Sequence, residues 1–361
     1  MTVPSVASEP TDDVQDLATE EDPEVSTDLR YQITSYGADY PVDGLVKRLR
    51  ASDIELPRFQ RDFVWSLTQA SKFIESLLLG LPIPAIFLSK ESDTQKLLVI
   101  DGQQRLKSLL AYYDGILRGK EFKLQGVNRE FEGVTYRSLP ASDRRRLDDA
   151  LLHAIIIRQE DPKNDDSSVF LVFERLNTTS TPLSAQELRA CVYHGGFNDF
   201  LESANADVNW RSIYGEPNLR QKDKELILRF LALFYDIASY ERPMKLFLTN
   251  FMRKNREFQL HSKDELGEVF SRTMKVANEV LGRAMFRPQR ALNASVADAL
   301  VVGLARRLQR GAISDSEGLR SAIANVIHSP EFVELYRVGT TNTDKVVARI
   351  DAVATAIQNV E

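Results

Sequence analysis

The feature that most constrains the fold is a change of hydrophobic period partway along the chain. From Tyr31 onward, short apolar runs bounded by polar residues alternate with segments of helical spacing. "RYQITSY", "DIELP", "AIFLS", "KLLVI" and "HAIIIRQ" read as strands. "VDGLVKRLR" reads as a helix, with Val42, Leu45, Val46 and Leu49 on one face, and "SSVFLVFERLN" as another. "TQASKFIESLLLG" reads as a helix capped by Thr68 and stopped by Gly80. Beyond Asp166 strand signals nearly vanish. "SAQELRACVY", "FNDFLESAN", "KDKELILRFLALFYDI", "KLFLTNFMRKN", "DELGEVFSRTMKVANEVL", "VADALVVGLARRL" and "DKVVARIDAVATAI" all suit amphipathic helices. The expected architecture is α+β: a compact α+β domain over 29–165, then an α-helical domain over 166–361. Residues 1–28, acidic and almost free of large apolar side chains, are expected to form a disordered tail.

Composition narrows the function. The net charge of −6 argues against nucleic-acid binding by bulk basicity, leaving only local patches such as "FMRKNR" and "RRLQR". A single cysteine, Cys191, excludes an intramolecular disulfide and a cysteine-based zinc site. The four histidines form no HExxH spacing and no His/Asp/Glu cluster, so no histidine-based metal site, of a zincin or a metallonuclease, is expected. Gly119-Lys120 lacks the spacing of a Walker loop. No apolar run reaches transmembrane length, and the acidic start lacks the basic region of a signal peptide. A cytoplasmic protein without a membrane partner is expected.

Four segments stand out. In "LLVIDGQQRLKSLLAYYDG" a buried strand runs into Asp101-Gly102-Gln103-Gln104-Arg105 and then a helix, with Leu106, Leu109, Leu110, Tyr113 and Leu117 at helical spacing. Asp101 as N-cap and Gln104 as the N3 partner make a capping box, worth about 1 kcal/mol. That leaves Arg105, a cation in the first turn, where the macrodipole favours negative charge. An anion there receives backbone N–H groups and a guanidinium, and Gly102 lets it approach the backbone. Both readings stay open. In "LPRFQRDFVW" the aromatics anchor a loop carrying Gln60 and Arg61, either as solvated polar residues or facing a ligand. In "FERLNTTSTPLSAQELR", Ser184 and Glu187 form a capping box. Glu174 and Asn177 share a helical face and suit either a Mg²⁺ or water site or a simple helix end closed by Asn177. In "RQKDKELILRFLALF" a core stripe of Leu226, Ile227, Phe230, Leu231 and Phe234 leaves Asp223, Glu225 and Arg229 for the polar side.

Taken together and in this order, "PRFQRDFVW", "VIDGQQRLKSLLAYYDG", "VFERLNTTSTPLSAQELR" and "DKELILRF" resemble the GmrSD restriction-endonuclease N-terminal domain family, of the ParB/sulfiredoxin-like superfamily. The resemblance implies a small ParB/sulfiredoxin-like α+β domain whose glycine-to-arginine turn binds a nucleoside triphosphate, with Mg²⁺ as its companion ion. It implies catalytic roles for Asp101, Gln104 and Arg105, with Asp101 orienting water or Mg²⁺ or serving only as a cap. It implies nucleotide contacts from Gln60, Arg61, Gly102 and Gln103, with Asn177 at the rim. It implies NTP hydrolysis in defence against phage with modified DNA. No HNH-like histidine pair follows the helical part, so a separate nuclease or effector protein is the expected partner, with DNA. Two alternatives remain: a DNA-binding adaptor without turnover, and a ParB-like nuclease.

Overall fold

In the computed structural model, five strands form one mixed sheet: β1 (Gln32–Pro41), β2 (Ile54–Glu55), β3 (Ile86–Lys90), β4 (Leu97–Asp101) and β5 (Leu151–Asp161), in the order β1-β5-β3-β4-β2. Residues 14–15, 32–56, 63–91, 95–161, 167–176 and 183–361 are described. β5 pairs antiparallel with β1, placing Ala154 opposite Ala38, and parallel with β3, placing Ala154 opposite Ile86. β4 is antiparallel to β3 and parallel to β2. β1 runs five residues beyond "RYQITSY", and β2 shrinks to two residues of "DIELP".

Helices α1 (Val42–Arg50), α2 (Leu67–Leu79), α3 (Gln103–Asp114) and α4 (Ala141–Asp149) pack with this sheet. α1 buries the predicted face of Val42, Leu45, Val46 and Leu49. These join Ile86, Leu88, Val99, Leu106, Leu109 and Ala154 in one core. α2 starts at Ser66, not at Thr68: the Ser66 hydroxyl accepts from Gln69 N, and Gln69 Oε1 accepts from Ser66 N. Ser66 wins because Gln69 completes a reciprocal box, whereas Thr68 is followed three residues on by serine. Gly80 ends α2 at φ 70°. α3 ends at Gly115, φ 80°, so Leu117 leaves the helix and joins a short hairpin with Lys120–Glu121. α5 (Ser167–Leu176) lies against β4 and β5.

The chain divides into two units. The first holds residues 28–183 and 190–192; the second holds 1–27, 184–189 and 193–361. The expected tail falls outside the described residues except Val14–Gln15, which bridges in parallel to Leu292–Asn293.

The rest is helical: α6 (Ala185–Val192), α7 (Gly196–Asn205), α8 (Val208–Tyr214), α9 (Lys222–Asp236), α10 (Met244–Lys254), α11 (Lys263–Val276), α12 (Gly282–Met285), α13 (Ala294–Leu308), α14 (Ser316–Ile327), α15 (Pro330–Leu335) and α16 (Thr343–Ile357). α13 is buried nearly all round and packs on α9, α11 and α16. A side chain at Gly303 would meet Val353 Cγ1 at 2.7 Å, so the glycine sets how closely α16 approaches. The expected polar side of α9 is instead buried: Asp223 is 0% and Arg229 3% exposed. Arg229 pairs with Asp298 of α13, and Asp223 with Arg211 of α8. Burial is tolerated because each charge meets an opposite one across the helix interface.

Candidate functional site

The junction between β4 and α3 is built around Gly102, which is the N-cap of α3 at φ 98° and ψ 8°. The expected capping box of Asp101 and Gln104 does not form, and α3 has no side-chain cap. Asp101 is still in the strand, one residue too early to cap. Two constraints make residue 102 a glycine. Its φ lies where L side chains are strained, and an added Cβ would stand 2.3 Å from Ile86 Cγ2. The open side of the glycine is therefore filled by β3, and Gly102 itself is buried.

That first turn carries the three candidates after the glycine. Gln103 is buried. Gln104 reaches backward: its Oε1 accepts from Val64 N at 3.0 Å and from Trp65 N at 3.4 Å. Arg118 holds the same stretch, donating to Phe63 O with its guanidinium over the Phe63 ring. Two of the quoted segments thus meet through one amide side chain. Gln60 and Arg61, and also Asn177, lie outside the described residues, as does the Glu174 side chain.

Arg105 has internal partners. Its Nη2 donates to Asp101 Oδ2 at 2.5 Å, and its Nη1 donates to Ala85 O at 3.1 Å and to Pro84 O. The side chain is 11% exposed, against 43% for Asp101. Burial pulls the guanidinium below its ordinary value, and Asp101 works against that pull. A first-turn cation is thus explained without a ligand, because Asp101 offsets the dipole and the two carbonyls fix the segment entering β3. The first helical bond of α3 is Leu106 N–H to Gly102 O, so the amides of Gln104 and Arg105 lie outside that ladder. Uncapped amides, a guanidinium and one half-exposed carboxylate are what the junction offers chemically.

No group of three or more His, Cys, Asp or Glu side chains suited to a metal occurs among the described residues. Asp101 alone fits the way Mg²⁺ is held beside phosphates, by one or two carboxylates. In the segment before α6, Ser184 and Glu187 form the expected capping box, and the Ser184 hydroxyl donates to Arg220 O.

Sequence reasoning missed Arg118 and the buried charges of the helical unit. Arg189 is fully buried and donates to Glu225 Oε2 at 2.6 Å and to Gln186 Oε1 at 2.8 Å. Tyr113 and Tyr136 stack at 4.1 Å, and both hydroxyls donate to Asp148. Burial and that shared carboxylate raise both phenols. These partners lie 35 or more residues apart for Tyr113, Arg118 and Arg189–Glu225, beyond any local pattern. No described helix is long and apolar enough to cross a membrane.

Residues 42–194, spanning α1 to the end of α6, match the family model described as "GmrSD restriction endonuclease, N-terminal domain". No match is found among curated proteins.

Proposed function

We propose, because residues 42–194 match the GmrSD restriction endonuclease N-terminal domain model, that this chain is the nucleotide-binding, NTP-hydrolysing component of a modification-dependent restriction or anti-phage system. A separate nuclease would cut the DNA. The observation that carries the reading is the β4–Gly102–α3 junction, where an uncapped helix start meets the Arg105 guanidinium and the half-exposed Asp101 carboxylate. A phosphate seated there takes the first-turn amides and the helix dipole. Arg105, already fixed by Pro84 and Ala85, contributes its charge without further ordering. Asp101 is the group available to orient a water or a Mg²⁺ ion. Gln104, its oxygen used on Val64 and Trp65, keeps its amide NH₂ as a donor.

The test is nucleotide binding and phosphate release from ATP, GTP, CTP and UTP with Mg²⁺, with and without DNA. Wild type is compared with Asp101→Asn, Arg105→Ala and Arg105→Lys. Arg105→Lys and a melting curve separate loss of the site from loss of the strut to Pro84 and Ala85. Turnover that falls at least about tenfold in Asp101→Asn at unchanged melting supports the reading; a factor of ten is about 1.4 kcal/mol of transition-state stabilisation. Neither binding nor turnover with any of the four nucleotides overturns it.

A further inference from the structure

We propose that a cleft in the helical unit, between the C-terminal ends of α13 and α16, binds a phosphate-bearing anion. The cleft encloses about 210 Å³ and is lined by Arg306, Arg307, Arg310, Ala354, Thr355 and Gln358. It lies in the other unit from the β4–α3 junction and does not depend on it.

The three arginines are held differently, and the difference is the argument. Arg306 pairs with Asp351 at 2.9 Å, an exposed pair that water and salt screen. Arg307 is held by carbonyls alone: Nε donates to Val360 O at 3.0 Å, Nη2 to the same oxygen at 2.5 Å, and Nη1 to Gly311 O at 3.4 Å. Carbonyls fix a guanidinium without neutralising it. Arg310 is exposed and has no side-chain partner among the described residues. Three cations thus face the cleft with one carboxylate, Asp351, among their partners. The Thr355 hydroxyl and the Gln358 amide add neutral hydrogen-bonding groups to the same wall.

Arginines in the last turn of a helix also answer its dipole. That accounts for Arg306 and Arg307, which the last turn of α13 contains. It does not account for Arg310, two residues past the helix end, nor for a polar cleft left open between the guanidiniums. A phosphate accounts for both, since guanidinium forks match its oxygens and the carbonyl-held Arg307 is already ordered. The chain is acidic overall, so this is a local site and not a general cation surface. The phosphate has two sources, a nucleic-acid backbone or a free nucleotide or pyrophosphate.

The experiment uses the full chain and four probes: a labelled DNA duplex, the single strand, ATP and inorganic pyrophosphate, at low salt. The variants are Arg310→Glu, Arg310→Lys and Arg272→Glu, the last a charge reversal on the exposed face of α11. Arg310→Glu breaks no internal contact, and its melting curve is expected to match wild type. Arg310→Glu is expected to weaken at least one probe by about tenfold or more, with Arg310→Lys intermediate and Arg272→Glu unchanged. For duplex DNA the log–log salt slope is expected to drop by about 1, the value for one phosphate contact. Loss confined to the DNA probes assigns a backbone phosphate; loss confined to ATP and pyrophosphate assigns a free one. Binding of all probes unaffected by Arg310→Glu, equal losses in Arg272→Glu, or no binding of any probe by wild type overturns the proposal.

Discussion

Replacing Asp298 with alanine is expected to be among the most damaging single substitutions in the helical unit. Asp298 and Arg229 have side chains 2% and 4% exposed. Arg229 Nε donates to both carboxylate oxygens, at 3.1 and 3.2 Å, and Nη2 donates to Oδ2 at 2.5 Å. Alanine removes three charge-assisted bonds and leaves a cation buried. Breaking one partner of such a pair costs about 3–5 kcal/mol. The neighbouring void, lined by Trp210, Phe230 and Asp298 among others, holds only about 10 Å³, the lower limit for one water. Space for a replacing water therefore comes only from the deleted carboxylate. The assay is urea unfolding followed by Trp210 fluorescence in a Trp65→Phe background, since Trp65 and Trp210 are the only tryptophans. With a slope of about 3 kcal/mol per molar, a loss of 4 kcal/mol moves the midpoint down by about 1.3 M. The double variant Arg229→Met/Asp298→Leu is expected to recover most of that loss, because a buried pair is roughly balanced against apolar isosteres. A midpoint shift in Asp298→Ala below about 0.3 M would refute the reasoning. So would a double variant as unstable as the sum of its singles, which would show that the two groups are not coupled.

Gly102→Ala sets a Cβ 2.3 Å from Ile86 at φ 98°, and is expected to cost about 2–3 kcal/mol in the first unit; a melting curve like that of wild type would contradict the packing described. Gln104→Ala removes the acceptor for the Val64 and Trp65 amides, so faster hydrogen exchange at both, with α3 itself still protected, is the expected result. The phenols of Tyr112 and Tyr113 are raised, by burial first and for Tyr113 also by its bond to Asp148. Their contribution to stability is full below the unfolded phenol value of about 10 and is lost as pH rises above it. Phenolate absorbance is therefore expected in two stages, exposed tyrosines first and the buried ones with unfolding, and Asp148→Asn is expected to bring part of the second stage to lower pH. A single stage near the ordinary value would show that these hydroxyls are not shielded. Ser184→Ala is expected to cost about 1 kcal/mol through its lost capping box, read as a lower midpoint for the helical unit.

What the sequence determined by itself is what residues within about four positions of one another decide. The period of Val42, Leu45, Val46 and Leu49 specified α1 and its buried face. Gly80 specified the end of α2 because only glycine enters the left-handed region freely, and Ser184 with Glu187 specified the start of α6. The change from strand-and-helix to helix alone placed the sheet in the first part of the chain, and the ordered motifs carried the resemblance to the family whose model matches residues 42–194. At the candidate site the sequence marked the Gly102 junction but misread its details. It offered Asp101 and Gln104 as a capping pair beside the anion-binding reading; the strand extends through Asp101, and Gln104 finds partners 39 and 40 residues back. It read Arg105 as a cation without an internal reason, because Pro84 and Ala85 lie 21 and 20 residues away. It placed Arg229 and Asp223 in water because a charge on a helix face normally stays there. Only the packing of α9 on α13, with Asp298 sixty-nine residues from Arg229, decides that the charge is buried and neutralised. Tertiary structure likewise put β5, the last strand of the five-stranded sheet in sequence, between β1 and β3. Such pairings gain their energy only when two distant segments meet, so neither segment carries their signature alone.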